Sequence, residues 1–208
     1  MDRQGLWDTV ARARASVEDT YGDTEEFAAA LTDVLAELEP AEIAAFDHEF
    51  QRLYADSYRV DLWAAAYLIC GGASDDAFDY FRGWLIAQGQ SAWDAALADP
   101  DTLTDLLDPA TDADFDGDLV MYAAADAYER VAGATLPPIA GPEVPAGEAF
   151  DFEDEAELRI RLPRLSARIE SLEADPEDAI DEDQVEDDER ADGSAAADDV
   201  VPTRGGRD

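Results

Sequence analysis

The chain contains no lysine: all 14 of its basic residues are arginine. It has one cysteine and one histidine. A lone cysteine excludes an intramolecular disulfide. One ligand of each kind also leaves no Cys/His set for a structural zinc ion. A Ser–His or Cys–His nucleophilic pair would have to be built on His48, which falls opposite Phe46 and Phe50 on a helical pattern and is expected to face solvent. Cys70 closes an apolar helical segment, where packing is the simpler role, and acidic surroundings raise a thiol pKa rather than lower it. No apolar run approaches the length of a membrane helix, and Met1–Val10 is too polar for a secretory signal, so the expected location is the cytoplasm. Alternating β-branched runs are scarce. Gly71-Gly72 follows a helical pattern rather than a strand, so it is no phosphate-cradling loop.

Positive charge is equally scarce. Against the 14 arginines stand 52 acidic residues, for a net charge of -38. Residues 174–208 hold 14 acidic and 3 basic groups, which leaves -27 on residues 1–173. The folded part is therefore strongly acidic by itself. Such a field repels phosphate, which argues against nucleic acid and anionic membrane and leaves protein as the partner class. A salt-adapted host and a high-GC genome both fit this composition.

What the chain does have is apolar material, 47% of its 208 residues, arranged with helical periodicity. The spacing predicts a first helix over residues 6–17, with Leu6, Val10, Ala13 and Val17 on one face. A second starts near Asp23 and buries Phe27, Leu31, Val34, Leu35 and Leu38. Pro40 suits the first position of a third, which carries Ile43, Phe46, Phe50, Leu53 and Tyr54. The segment Val60–Cys70 is apolar nearly all round and reads as a central, buried helix stopped by Gly71-Gly72. Ser74 caps a fifth helix with Asp75 and Asp76 in its first turn, where the dipole favours carboxylates. Two short helices follow, near Ser91 and after Pro100. Another covers residues 118–131, with Leu119, Tyr122, Ala125 and Tyr128 as its expected buried face and Gly133 at its end. Residues 136–147 are a Pro/Gly-rich loop. Residues 153–172 form one or two short helices broken around Pro163. The expectation is an all-α, single-domain helical bundle of about seven to nine helices: a core over residues 1–135, a linker with short packed helices over 136–173, and a disordered acidic tail over 174–208.

Residues 61–89 read DLWAAAYLICGGASDDAFDYFRGWLIAQG. The order Asp-Leu-Trp, Gly-Gly, Ser-Asp-Asp, Phe, then Phe-Arg-x-Trp-Leu-Ile before Gly resembles the signature of the bacterial family catalogued as domain of unknown function 4240. Weaker likenesses reach outward to Trp7, Asp99-Pro100 and Tyr128, so the resemblance covers about residues 1–135, with a further echo at Leu162-Pro163-Arg164-Leu165. It implies a small, mostly helical domain and assigns no activity.

The candidate pocket lies at the junction of the fourth and fifth helices. Ser74, Asp75 and Asp76 stand at a helix start, Tyr80, Arg82 and Trp84 follow, and Asp61, Trp63 and Tyr67 precede the double glycine. Paired carboxylates can perform acid–base work or hold a cation. The simpler alternative is a capped helix with Arg82 paired to Asp79 one turn back. Arg82 shares a stripe with Phe78 and Leu85, so it should be buried and paired, with Asp61, Asp75 or Asp76 as further possible partners. Asp112, Asp114, Asp116 and Gly117 spell the opening of a calcium loop, but position twelve is Ala123 rather than Glu, which leaves the coordination shell incomplete. No catalytic residue, metal or cofactor is therefore assigned. The preferred reading is a non-catalytic helical interaction or regulatory domain. The alternative is a small-molecule hydrolase, lyase or sensor using the carboxylate/Arg pocket.

Overall fold

A computed structural model describes residues 1–18, 24–107 and 115–173. Among them the chain forms nine α-helices, one 3-10 helix and no strand, as the periodicity predicts. The expected acidic tail, and Asp112 and Asp114 of the calcium-like run, lie outside the described residues.

The helices are α1 (Arg3–Arg14), α2 (Thr24–Ala36), α3 (Pro40–Asp56), α4 (Val60–Ile69), α5 (Asp75–Ala87), α6 (Gln90–Ala98), the 3-10 helix Pro100–Leu106, α7 (Asp118–Ala132), α8 (Glu155–Arg161) and α9 (Pro163–Glu173). Their ends follow local chemistry. Asp2 accepts a hydrogen bond from the amide of Gly5 and starts α1 three residues earlier than its apolar stripe suggests. Pro40 takes the first position of α3. The Ser74 hydroxyl accepts from the Ala77 amide at 3.2 Å and caps α5. Gly133 ends α7 in the left-handed conformation, at φ 64°, which costs glycine little.

The core is built around α5 and α7. From Phe81 to Ala87 every residue of α5 is buried. Helix α7 packs against α2, α3 and α5, and it does so with an unexpected face. The buried positions are Val120, Ala123, Ala124 and Ala127, while Leu119 and Tyr122 are exposed. A stripe of small residues lets the α7 backbone approach α2 closely, and Phe27, Leu31 and Leu35 of α2 supply the bulk. Of the face expected to be buried, Leu119, Tyr122 and Ala125 point outward while Tyr128 is half-buried against the core, and Tyr122 lies beside Met121, Pro138 and Ile139 in a groove. Helix α4 is likewise less central than expected. Leu62, Ala64, Ala65 and Ala66 are buried, but Trp63, Tyr67, Leu68 and Ile69 are only half-buried.

Helices α4 and α5 do dock face to face across the double glycine. Trp63 stacks on Phe78 with ring centroids 4.9 Å apart, and its indole N–H donates to the Ala73 carbonyl at 3.0 Å. The loop after α7 is pinned to the start of α4, where the Val60 amide donates to Ala146 and the Ala146 amide donates to Tyr58.

The C-terminal arm, α8 and α9, is held by a carboxylate from elsewhere in the chain. Asp101, in the 3-10 helix, is 6% exposed. Its side chain accepts from the amides of Arg164 at 3.1 Å and Leu165 at 2.8 Å, the first free N–H groups of α9 after Pro163. It thus caps α9 from a distance of some sixty residues in sequence. Arg164 returns the contact by donating to the Asp101 carbonyl at 2.8 Å.

Candidate functional site

Arg82 is the one charged residue among the sequence candidates that is buried. Its side chain is 5% exposed. The guanidinium ion-pairs with Asp79, one turn back, and donates to the Tyr54 carbonyl at 2.7 Å. Its carbon lies 3.8 Å from the Tyr54 ring centroid, 4.7 Å from that of Tyr58 and 5.1 Å from that of Phe78. Three aromatic faces and a carboxylate therefore surround one charge, which suits a guanidinium better than an ammonium. The Tyr54 hydroxyl donates to the Asp79 carbonyl at 2.9 Å, and burial pushes its pKa up.

The other candidates do not join Arg82 in one pocket. Asp61 pairs with Arg59, accepting from Nε at 3.0 Å, and also accepts from the Leu62 amide. Ser74 is the cap already described. Asp75 and Asp76 are exposed in the first turn of α5. Tyr80 is half-buried, and the charge of Asp76 raises its pKa. Trp84 is fully buried, edge-on to Phe115 at 4.9 Å. Trp63 is committed to Phe78, so of the nine candidates Tyr67 alone reaches the cleft described below. His48 is exposed, as expected. Cys70 differs from expectation: it is exposed at the end of α4, although burial around the thiol lifts its pKa to about 11. At Asp116 and Gly117, one aspartate oxygen accepts from the Asp118 amide and the glycine amide donates to Tyr80, so this stretch docks α7 on α5. Among the described residues no group of three or more His, Cys, Asp or Glu side chains is arranged to hold a metal ion. No helix among them is long and apolar enough to cross a membrane.

A cleft of about 430 Å³ opens between the end of α4 and the arm. Tyr67, Leu68, Phe152, Leu158 and Ile169 make its apolar floor, and Glu153, Glu155, Glu170 and Arg159 form its rim. Tyr67 and Phe152 meet at 5.7 Å between ring centroids. Arg159 bridges the two arm helices. Its Nε donates to Glu170 at 2.7 Å, and its Nη2 donates to Glu155 at 3.1 Å. Those bonds, with Glu170 first, hold its pKa above the ordinary value. In the wall lies Ser166, 6% exposed, whose hydroxyl oxygen has no hydrogen-bond partner among the described residues.

Sequence reasoning missed this cleft. The Glu155-x-x-x-Arg159 pair is legible at helical spacing, but Tyr67 and Phe152 lie far apart in the chain, and the packing of the arm on α4 and the 3-10 helix brings them together.

No curated protein and no solved structure matches the chain. The family described as "Protein of unknown function (DUF4240)" matches residues 1–130, which include residues 61–89 and the α4 wall of the cleft, but not the arm. On that match, which spans more than half of its length, the chain belongs to the DUF4240 family.

Proposed function

We propose that this protein is a non-catalytic interaction domain that receives a basic segment of a partner protein in the cleft between α4 and the α8–α9 arm. One observation carries the reading: an aromatic floor is rimmed by three glutamates, and the basic group among them, Arg159, is already engaged by two. Aromatic faces and carboxylates together recognise a cation that carries apolar surface. The net charge of -38 steers such partners toward the chain and repels polyanions. The expected cytoplasmic location belongs to the same reading.

The alternative, a hydrolase, lyase or sensor at the α4–α5 junction, depends on Arg82 meeting a ligand. That guanidinium is buried and engaged by Asp79 and Tyr54, so the geometry favours the interaction domain.

Fluorescence anisotropy with the full chain tests the proposal. Labelled peptides that alternate arginine with aromatic residues should bind, and more weakly as salt rises. Peptides with glutamate in place of arginine should not. Phe152→Ala and Tyr67→Ala should each weaken binding roughly tenfold, the scale for an anchoring aromatic contact. Unchanged affinity in both variants would overturn the placement.

A further inference from the structure

Resting on that reading, we infer that Arg159 is an internal stand-in for the partner's arginine, so that binding is an exchange of one guanidinium for another between Glu155 and Glu170.

The chain itself displays the geometry. A planar guanidinium spans two carboxylates on different helices, at 2.7 Å and 3.1 Å. This is fork geometry, which an arginine satisfies and a lysine ammonium does not. Yet the Arg159 side chain is 52% exposed and sits on the rim rather than over Tyr67 and Phe152. An exposed ion pair of this kind is screened and weakly held. A partner's arginine would gain the same carboxylates and would also cover the aromatic floor. It would bring N–H donors to a wall where the nine-tenths buried Ser166 hydroxyl oxygen lacks a partner. With Arg159 in place the rim carries three carboxylates and one cation. With Arg159 displaced, the carboxylates face the incoming charge alone. Arg159 thus lowers the fraction of binding-competent cleft and raises the threshold for a partner.

The sign of one substitution tests this. Anisotropy titrations would use the full chain and a labelled arginine-aromatic peptide. Arg159→Ala should tighten binding roughly three- to tenfold by removing the competing state. Glu170→Gln should weaken binding. Arg12→Ala changes net charge equally but lies outside the cleft, in an exposed pair with Glu37, and should leave affinity nearly unchanged. Arg159→Gln, checked by melting temperature, guards against loss of the arm. The lysine version of the peptide should bind more weakly than the arginine version. Equal tightening by Arg12→Ala and Arg159→Ala would overturn the inference in favour of a general field effect. Weaker or unchanged binding by Arg159→Ala, with wild type still binding, would overturn the exchange and leave the interaction reading standing. No binding of any basic peptide by wild type would overturn both.

Discussion

Gly83 and Gly117 meet backbone to backbone. Gly83 lies in the middle of α5, and Gly117 immediately precedes α7; a Cβ added to either would strike the main chain of the other segment. The Gly117 amide donates to the Tyr80 carbonyl at 3.1 Å across the same contact. This contact brings the start of α7 onto α5.

Two effects therefore oppose each other in Gly83→Ala. Helix propensity favours alanine by about 1 kcal/mol. The steric clash meets backbone rather than a flexible side chain, and overpacking of that kind costs about 1–3 kcal/mol or more. The clash should win. Thermal unfolding should show a melting temperature lowered by roughly 3–6 °C, given the few degrees that each kcal/mol is worth at this size. A raised melting temperature would contradict the contact.

Arg82 gives a second prediction. Arg82→Met keeps an apolar stem among Tyr54, Tyr58 and Phe78 but removes the bond to the Tyr54 carbonyl and the pair with Asp79. A hydrogen bond from a charged donor contributes about 1.5–3 kcal/mol, and urea unfolding should show a loss of that order. Arg82→Lys should recover only part of it, because the ammonium cannot form the fork. A methionine variant as stable as the wild type would show that the cage carries no net stability.

Asp101→Ala leaves the amides of Arg164 and Leu165 without their acceptor. Leu165 is fully buried, so water cannot simply replace the bond. The cost is about 1–3 kcal/mol, and it should fall on the arm. Hydrogen exchange should quicken in α8 and α9 while the buried turns of α5 stay protected. Uniform acceleration in both regions would contradict local capping.

Cys70 combines an exposed position with a thiol pKa of about 11. At pH 8 its thiolate fraction is far below that of an ordinary cysteine near 8.5, which the higher nucleophilicity of a basic thiolate only partly offsets. Alkylation of the folded chain should run roughly tenfold or more slower than that of the unfolded chain. The linkage has a definite sign. The unfolded thiol ionises first as pH rises, so this group removes stability between its unfolded pKa and about 11. Cys70→Ala should flatten the stability profile in that window.

Much of the architecture was legible because helix ends are local chemistry. Ser74, Pro40 and Gly133 each act through a neighbour within one turn, and the elements appear where those residues place them. The orientation of α7 was not legible. Its sequence carries two apolar stripes, one aromatic and one of alanine, and size alone favours the wrong one. The buried alanine face goes with close packing on α2 and the close approach at Gly83 and Gly117, facts about pairs of segments that no single helix encodes. Burial and pairing of Arg82 could be read from its stripe and from Asp79 one turn back, whereas the aromatic cage required α3 to be in place. The cleft was the least legible feature, since its walls come from residues 67–71 and 152–170.

That division has a consequence for how the proposed recognition can diversify. The family match ends at residue 130, short of the arm, and the arm is held to the core by buried Leu158, Leu162 and Leu165 and by the Asp101 cap. The core supplies one wall of the cleft, and α8 and α9 with Phe152 supply the other. In the proposed reading, new rim residues on the arm change which partner the cleft accepts while the α5–α7 interior stays as it is.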